Sequence, residues 1–218
     1  MPKNKMSRRN FLKAAGITMA AATVTCSGLG YAATRSPEIE TTKSTFGKEN
    51  TMNERILVTY ATRAGSTAEV AAAIGESLSQ RGFAVDVISV KDNPQLNDYH
   101  SVVMGSAIRM GNWLPEMVDY IKANQSALKG IPVALFTVYM QNTGEDETSR
   151  SARQGYLAAI HPLLNQFEEA FFIGKMDLSR LSFLDRMIAK MVKAKDEDLR
   201  DWDKIRDWAS TVFASELS

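Results

Sequence analysis

The residues best suited to chemistry lie in 58–74, where a short apolar strand leads through a turn into an amphipathic helix. At this turn, Gly65 has no side chain to obstruct an anion, and the N–H groups of residues 63–67 can point toward the start of the helix. Hydroxyl groups are supplied by Thr62, Ser66 and Thr67. Because a helix start favours negative charge, the turn predicts a phosphate-binding site.

The spacing around Gly65 limits the kind of phosphate. The segment contains neither G-x-G-x-x-G nor G-x-x-x-x-G-K-[ST], the patterns typical of dinucleotide and nucleoside triphosphate sites. A monophosphate is therefore the expected ligand. The alternative is a tight strand-to-helix turn that binds no ligand.

The elements expected around this turn alternate between strand and helix. Apolar segments predict five strands, which begin near Ile56, Ala84, Ser101, Val133 and Ala170. Three helices are predicted between them, at residues 66–81, 114–124 and 149–164. Ser66 and Glu69 have the spacing of a capping box at the start of the first helix. This alternation predicts an α/β fold whose parallel sheet is covered by helices on both faces.

Five strands fit the doubly wound order 2-1-3-4-5. In that order, ligands bind beyond the carboxyl ends of the strands, at the point where the strand order reverses. The loops after the first, third and fourth strands would meet there, and they are Thr62–Thr67, Ser106–Trp113 and Tyr139–Asp146. The second and third loops are therefore expected to contact the rest of the ligand whose phosphate the first loop binds.

The first loop resembles the signature of the flavodoxin family, which is aromatic-x-Ser/Thr-x-x-Gly-x-Thr-x-x-x-Ala after a strand. The matching residues are Tyr60, Thr62, Gly65, Thr67 and Ala71. Thr59 departs from the family, which prefers an apolar residue there. The resemblance implies a flavodoxin-like three-layer αβα sandwich, with a five-stranded parallel sheet in the order 2-1-3-4-5, that binds FMN. The implied cofactor-binding residues are Thr62, Arg63, Ala64, Gly65, Ser66, Thr67, Ser106, Ala107, Ile108, Arg109, Met110, Gly111, Asn112, Thr137, Val138, Tyr139 and Met140.

The second loop is similar to one branch of that family. The sequence Gly-x-x-Ile-Arg-x-Gly at 105–111 looks like the flavodoxin-type, quinone-linked protoporphyrinogen dehydrogenases, and Arg63 in the first loop matches them too. The likeness extends more loosely from Arg55 to the C-terminal helix. It implies an oxidoreductase that passes electrons between a porphyrin or small aromatic substrate and a quinone.

Three further residues have roles that the sequence leaves open or only suggests. Arg109 stands about where electron-carrier flavodoxins present an aromatic ring. It could hold a negative reduced flavin or a substrate carboxylate through charge-assisted hydrogen bonds, or it could be a solvated loop cation. Trp113 is expected to pack in the core, and Tyr139 to stack on the flavin. The acidic stretch 141–150 is expected to be a mobile lid over the substrate, and no side chain stands out as a general acid or base.

Residues 1–33 have the basic start, apolar stretch and small-residue exit of an export signal. The sequence Ser-Arg-Arg-x-Phe-Leu-Lys at 7–13 matches the twin-arginine consensus, which predicts export in a folded state by the twin-arginine translocase. Cleavage is expected after Ala32 or Ala33, and lipid attachment at Cys26 is the alternative. The predicted location is the periplasm or the outer face of the cytoplasmic membrane.

The rest of the chain divides into a predicted flexible linker at 34–53 and one flavodoxin-like FMN-binding domain at 54–218. Residues 1–33 contain five basic side chains and no acidic one, so the formal net charge changes from +1 to −4 without them. This mildly acidic balance argues against nucleic acid as a partner. Cys26 is the only cysteine and the chain has two histidines, so neither a disulfide framework nor a metal site is expected.

Residues 182–195 combine apolar and basic side chains with helical spacing. The apolar stripe consists of Phe183, Leu184, Met187, Ile188, Met191 and Val192, and the flanking cations are Arg186, Lys190, Lys193 and Lys195. This pattern fits peripheral contact with a membrane surface. It fits equally well a helix that covers the sheet. A final helix is expected to dock through Trp202, Ile205 and Trp208.

These observations predict an exported FMN oxidoreductase that resembles the protoporphyrinogen dehydrogenases. The alternatives are a flavodoxin-type electron carrier and a flavin-free binding module. Because export places the protein outside the cytoplasm, a quinone or another small aromatic redox molecule stands beside a porphyrinogen as the expected substrate.

Overall fold

A computed structural model describes residues 43–47, 54–191 and 194–214. The strands are β1 (Ser44–Phe46), β2 (Arg55–Ala61), β3 (Ala84–Ser89), β4 (Ser101–Arg109), β5 (Asn112–Trp113), β6 (Val133–Tyr139), β7 (Glu168–Ile173), β8 (Lys175–Met176) and β9 (Glu197–Asp198). The α-helices are α1 (Ser66–Gln80), α2 (Pro115–Ala123), α3 (Gln125–Leu128), α4 (Glu147–Gly155), α5 (Phe183–Met191) and α6 (Trp202–Thr211). Short 3₁₀ turns lie at Val90–Asp92, His161–Leu163 and Leu178–Arg180.

The central sheet confirms the predicted strand order. The five predicted strands are β2, β3, β4, β6 and β7, they run parallel, and their spatial order β3-β2-β4-β6-β7 is 2-1-3-4-5 in predicted numbering. The sheet has seven strands, not five, because β1 pairs antiparallel with β3 and β5 pairs antiparallel with the end of β4. The carboxyl ends of β2, β4 and β6 therefore lie side by side.

Strand β1 shows that the predicted linker is partly folded. Phe46 packs against the core beneath α1. Thr45 donates a hydrogen bond to the Asp86 carboxylate at 2.7 Å, which also accepts hydrogen bonds from Arg55 at 2.6 Å and Tyr99 at 2.9 Å. Burial alone would raise the pKa of Asp86, but these donors outweigh it and lower the pKa. The expectation that 34–53 is flexible throughout was therefore wrong for Ser44–Phe46. These residues form a strand, and Asp86, which lies 41 positions further along the chain, accepts a hydrogen bond from Thr45.

Two apolar cores cover the two faces of the sheet. On one face, α1 and α6 contribute Val70, Ile74, Leu78, Ile205 and Ala209, with Trp202 and Trp208 packed against them. This confirms the predicted docking of the final helix. On the other face, α2 contributes Met117, Tyr120 and Ile121. The molecule is therefore the predicted three-layer αβα sandwich.

Some predicted helix details were wrong. Helix α1 begins after Gly65, which makes no side-chain cap, so Ser66 and Glu69 do not form a capping box. The predicted helix 149–164 ends at Gly155 and continues as turns, with Pro162 in a separate 3₁₀ turn. Helix α5 does not cover the sheet, since neither core includes one of its residues. The leader, most of the linker, Val192 and Lys193 lie outside the described residues.

In the part of the chain that the structure describes, no helix combines the length and apolar character needed to cross a bilayer. Across the same residues, no group of three or more His, Cys, Asp or Glu side chains is arranged to hold a metal ion.

Candidate functional site

The first loop makes a tight turn between β2 and α1. Gly65 lies there at φ +90°, a left-handed conformation that favours glycine. The Thr62 hydroxyl accepts a hydrogen bond from the Gly65 N–H group at 3.0 Å and so fixes the turn. The N–H groups of Ser66 and Thr67 lie in the first helical turn, where an α-helix offers no intrahelical acceptors. This geometry leaves backbone donors available to an anion at the start of α1.

Thr67 carries the most informative atom of this loop. It is 1% exposed, and its Oγ1 has no hydrogen-bond partner among the described residues. A buried hydroxyl without a partner is costly and uncommon. The hydroxyls of Thr59 and Ser101 share this property, but they lie in strands, whereas Thr67 lies at a helix start, where a ligand oxygen could complete its hydrogen bonding. The residues of this loop therefore fit a phosphate group.

Arg63 is held away from that turn by an acidic side chain of α2. Both terminal nitrogens of its guanidinium group hydrogen-bond to the Glu116 carboxylate, and the second of these contacts is 2.9 Å long. A bidentate pair of this kind fixes the side chain. In this arrangement Arg63 orients the loop rather than offering its charge to a ligand.

The second predicted loop is a β-hairpin in the structure. Strand β4 continues to Arg109, and β5 turns back along it. Met110 and Gly111 form the tip with φ values of +52° and +77°, which suits a two-residue hairpin turn. Met110 is 78% exposed, so the tip presents a thioether to solvent.

Two polar side chains at the base of this hairpin form hydrogen bonds within the protein. The Ser106 hydroxyl donates to the Ala107 carbonyl and accepts from the Leu114 N–H group, both at 2.9 Å. The indole N–H of Trp113 donates to Thr137 Oγ1 at 2.9 Å. Trp113 is buried, as predicted. Ser106 and Thr137 were both predicted to bind the cofactor. The Ser106 hydroxyl both donates and accepts within the protein, whereas the Thr137 hydroxyl accepts from Trp113 and keeps its own hydrogen.

Arg109 is not a free loop cation. Its Nε donates to Asp185 Oδ1 at 2.8 Å, which joins the hairpin to α5. Asp185 also accepts a hydrogen bond from the Ser182 hydroxyl at 2.8 Å, and Ser182 caps the start of α5. Arg109, which was predicted to lie beside the flavin, therefore links the hairpin to helix α5 through an ion pair.

The third loop begins with Tyr139, whose ring is covered by other side chains. The ring lies 6.4 Å from the ring of Tyr156, centroid to centroid, and 5.6 Å from the Arg153 guanidinium carbon. Only 4% of the residue is exposed. This arrangement does not support the predicted stacking of Tyr139 on a flavin, because the ring packs against protein instead. Val138, beside it, is buried as well.

The following residues were predicted to be mobile, but hydrogen bonds from α4 and Tyr156 hold their backbone. Arg153 donates to the carbonyl oxygens of Asn142 at 2.6 Å and Gly144 at 2.7 Å. The Tyr156 hydroxyl donates to the Gln141 carbonyl at 3.1 Å and accepts from the Asn142 side chain at 2.7 Å. Four such bonds give the start of this loop a defined shape.

Sequence reasoning missed several residues that shape the site. Glu116, Arg153 and Asp185 each fix a predicted loop residue or its backbone from another element. Gly174 and Lys175, which follow β7, approach Ser66 in the first loop. Gly174, at the end of the fifth predicted strand, could have indicated a close approach of another segment, because it has no side chain. Nothing in the sequence near the three charged residues indicated their contacts.

Helix α5 exposes its apolar stripe beside the hairpin tip. The exposed large apolar residues of the described chain are Met110, Phe183, Leu184, Met187, Ile188, Met191 and Leu199. All but Met110 and Leu199 belong to α5. A contiguous exposed apolar surface of this kind marks an interaction site more often than a scattered set does.

Comparison with solved structures gives low sequence identities. Flavodoxin 1 from Bacillus cereus is 15% identical with a TM-score of 0.47, and the match covers 76% of this chain and 100% of that one. The rubredoxin oxygen:oxidoreductase from Desulfovibrio gigas is 13% identical with a TM-score of 0.48. The match covers 74% of this chain and 35% of that protein, so this chain spans about a third of its length.

Two curated relatives match this chain over most of their own length. Protoporphyrinogen IX dehydrogenase [quinone] from Escherichia coli strain K12 is 23% identical over 172 residues, which are 72% of this chain and 94% of the relative. The protein of the same name from Leishmania major is 25% identical over 181 residues, or 75% of this chain and 77% of the relative.

Two family models match the chain. The signal sequence of the twin-arginine translocation pathway matches residues 5–25, which confirms the predicted leader and its export across the cytoplasmic membrane to the periplasm or cell envelope. The flavodoxin domain matches residues 57–203, the span that contains all three loops at the carboxyl edge of the sheet. The chain therefore belongs to the flavodoxin domain family.

Proposed function

We propose that this protein is an exported FMN-dependent oxidoreductase, which passes electrons between a porphyrinogen or another small aromatic molecule and a quinone. The buried, unpartnered hydroxyl of Thr67 at the start of α1 is the observation that carries the proposal. Membership of the flavodoxin family supports a flavin cofactor and a redox role. The two curated dehydrogenases support the finer choice of substrate and acceptor.

The residues of this chain would bind and orient the cofactor. The N–H groups and the hydroxyls of Ser66 and Thr67 would hold the phosphate. The backbone of the hairpin 106–112 and of residues 137–140 would border the flavin ring. FMN, when bound, supplies the electron-transfer chemistry.

Arg109 would set the electrostatic environment at the ring. In the structure its charge is balanced by Asp185, so the flavin would sit beside an ion pair rather than an isolated cation. Asp185 uses the Nε–H group of Arg109, so only the remaining guanidinium N–H groups could donate to the flavin, and the net charge beside it would be lower. Asp185 therefore belongs to the residues that would tune the flavin, although it lies on α5.

An absorption and reduction experiment tests this function. We expect the protein purified from its native host to show flavin absorption bands. Under anaerobic conditions, a porphyrinogen should bleach those bands rapidly, a quinone should restore them, and a nicotinamide should have no effect. A colourless protein that takes up no added FMN would contradict the proposal. Bleaching by the nicotinamide alone would contradict the substrate class.

We also propose that α5 contacts a lipid bilayer, where a quinone acceptor dissolves. The apolar stripe faces solvent, Lys190 and Lys195 are exposed beside it, and the export signal directs the protein to the cell envelope. Exposed cations next to apolar side chains suit the headgroup region of anionic lipids.

Vesicle co-sedimentation tests this contact. With vesicles of phosphatidylglycerol and phosphatidylethanolamine, Met187→Ser together with Met191→Ser should weaken binding about tenfold, because each thioether loses apolar burial. Leu199→Ser is the matched control, since Leu199 is also exposed but lies outside α5. Equal vesicle binding by the wild type and the double variant would contradict the contact.

A further inference from the structure

We propose that Gly174 and the N–H group of Lys175 are a fourth part of the phosphate-binding site, which positions the Ser66 hydroxyl toward the phosphate. This inference rests on the proposed FMN function and extends it to residues outside the three loops. The two segments are far apart in sequence, since Lys175 follows Ser66 by 109 positions. They meet because β7 ends beside β6 at the same edge of the sheet as the first loop.

The contact between the two segments is a backbone-to-side-chain hydrogen bond. The Lys175 N–H group donates to Ser66 Oγ at 3.1 Å. A serine hydroxyl has one hydrogen to donate besides its acceptor lone pairs. Among the described residues, no acceptor receives that hydrogen. The bond from Lys175 therefore fixes the oxygen and leaves its hydrogen for a ligand at the helix start.

Gly174 makes this approach sterically feasible. A Cβ atom at this position would lie 2.7 Å from Val138 Cγ1 and 3.1 Å from Ser66 Oγ. The first distance is far inside van der Waals contact and the second is tight, so a larger residue would have to move away from Val138 and from Ser66. The Gly174 N–H group also donates to the Tyr139 carbonyl at 2.8 Å, and the Gly174 carbonyl accepts from the Leu199 N–H group at 3.2 Å. Hydrogen bonds at both its N–H group and its carbonyl group thus hold Gly174 in place.

The segment that follows Gly174 is anchored a second time on α1. Arg200, whose side chain is 6% exposed, pairs with Glu69 in the first turn of α1 and with Asp198 in β9. Arg180 lies 3.7 Å from the same Glu69 carboxylate. Arg180 also lies 3.6 Å from Asp177, so the two cations are shared among three carboxylates. The 174–200 segment is therefore fixed against α1 at Glu69 as well as at Ser66.

Binding of FMN and riboflavin by the flavin-free full chain tests the inference, because only FMN carries the phosphate. We expect Gly174→Ala to weaken FMN binding about tenfold, the effect of losing one hydrogen bond to a charged group, and riboflavin binding less than about twofold. Ser66→Ala should weaken FMN binding to a similar extent. The double variant should be no weaker than either single one, since both remove the same contact. Gly155→Ala is the control, because a Cβ there meets nothing within 4 Å.

Three results would overturn the inference: unchanged FMN affinity in Gly174→Ala, equal losses for both flavins, or fully additive effects in the double variant. If Gly174→Ala does not fold, hydrogen exchange at the Lys175 amide decides, because Ser66→Ala should speed that exchange at least about tenfold. An unchanged exchange rate would then overturn it. Failure of the proposed function is distinguishable, since the wild type itself would bind no FMN.

Discussion

Gly65→Asp is expected to abolish FMN retention. The new side chain must adopt φ +90°, which costs a non-glycine residue about 1–2 kcal/mol. Its carboxylate would also stand beside the phosphate, and like charges a few ångströms apart in a partly buried site repel by several kcal/mol. Equilibrium titration with FMN, followed by flavin fluorescence, measures the loss.

Gly65→Asn separates the two causes. Asparagine has nearly the same shape, tolerates positive φ better than most residues, and carries no charge. We expect Gly65→Asn to retain FMN with affinity lowered about tenfold, and Gly65→Asp to be at least about 100-fold weaker again. Similar affinity for the aspartate and asparagine variants would show that no anion lies at this turn.

Thr67→Val is expected to change stability and affinity in opposite directions. In the flavin-free protein, the Thr67 hydroxyl is buried without a partner, so its removal should raise the free energy of unfolding by about 1 kcal/mol. In the FMN complex the same hydroxyl would donate to the phosphate, so its removal should weaken FMN binding about tenfold or more. Urea unfolding and FMN titration measure the two effects.

Thr59 provides the matched control for this change. Its Oγ1 is also buried without a partner, but it lies within β2 rather than in the first loop. Thr59→Val should therefore stabilise the flavin-free protein and leave FMN affinity unchanged. If Thr67→Val and Thr59→Val behave alike in the FMN titration, Thr67 has no special relation to the phosphate.

The features that the sequence predicted well depend on local patterns. Alternation of apolar strands and amphipathic helices placed the ends of β2, β4 and β6 together, because parallel strands end at a common edge. The turn at Gly65 was recognisable because glycine at positive φ is a local requirement. Trp113 and the final helix were predicted correctly for the same reason, since apolar spacing determines which face is buried.

The features that it missed depend on contacts between distant residues. Strand β1 has three residues, too few for a periodic pattern, and forms because Thr45 reaches Asp86 on β3. The 141–146 loop is polar, and its composition predicted mobility. In the structure, Arg153 and Tyr156 donate hydrogen bonds to its backbone carbonyl groups. The ring of Tyr139 packs against Arg153 in α4 and against Tyr156, which follows it. The sequence pattern of the strand did not show what covers this side chain.

The apolar stripe of helix α5 had two interpretations, and only the structure could exclude one of them. An apolar stripe predicts burial but does not identify the surface that covers it. The structure excludes the sheet as that surface, because the stripe faces solvent and Asp185 on the opposite side pairs with Arg109. The exposure of the stripe, which its spacing in the sequence could not show, thus excluded the sheet.

The most direct test of the phosphate site is a comparison of FMN and riboflavin binding by the flavin-free wild-type protein. Backbone amides and hydroxyls at the start of α1 should make FMN bind at least about 100-fold more tightly than riboflavin, since several charge-assisted hydrogen bonds depend on the phosphate. Added inorganic phosphate should compete only with FMN. Equal affinity for the two flavins, or no binding of FMN at all, would contradict the account.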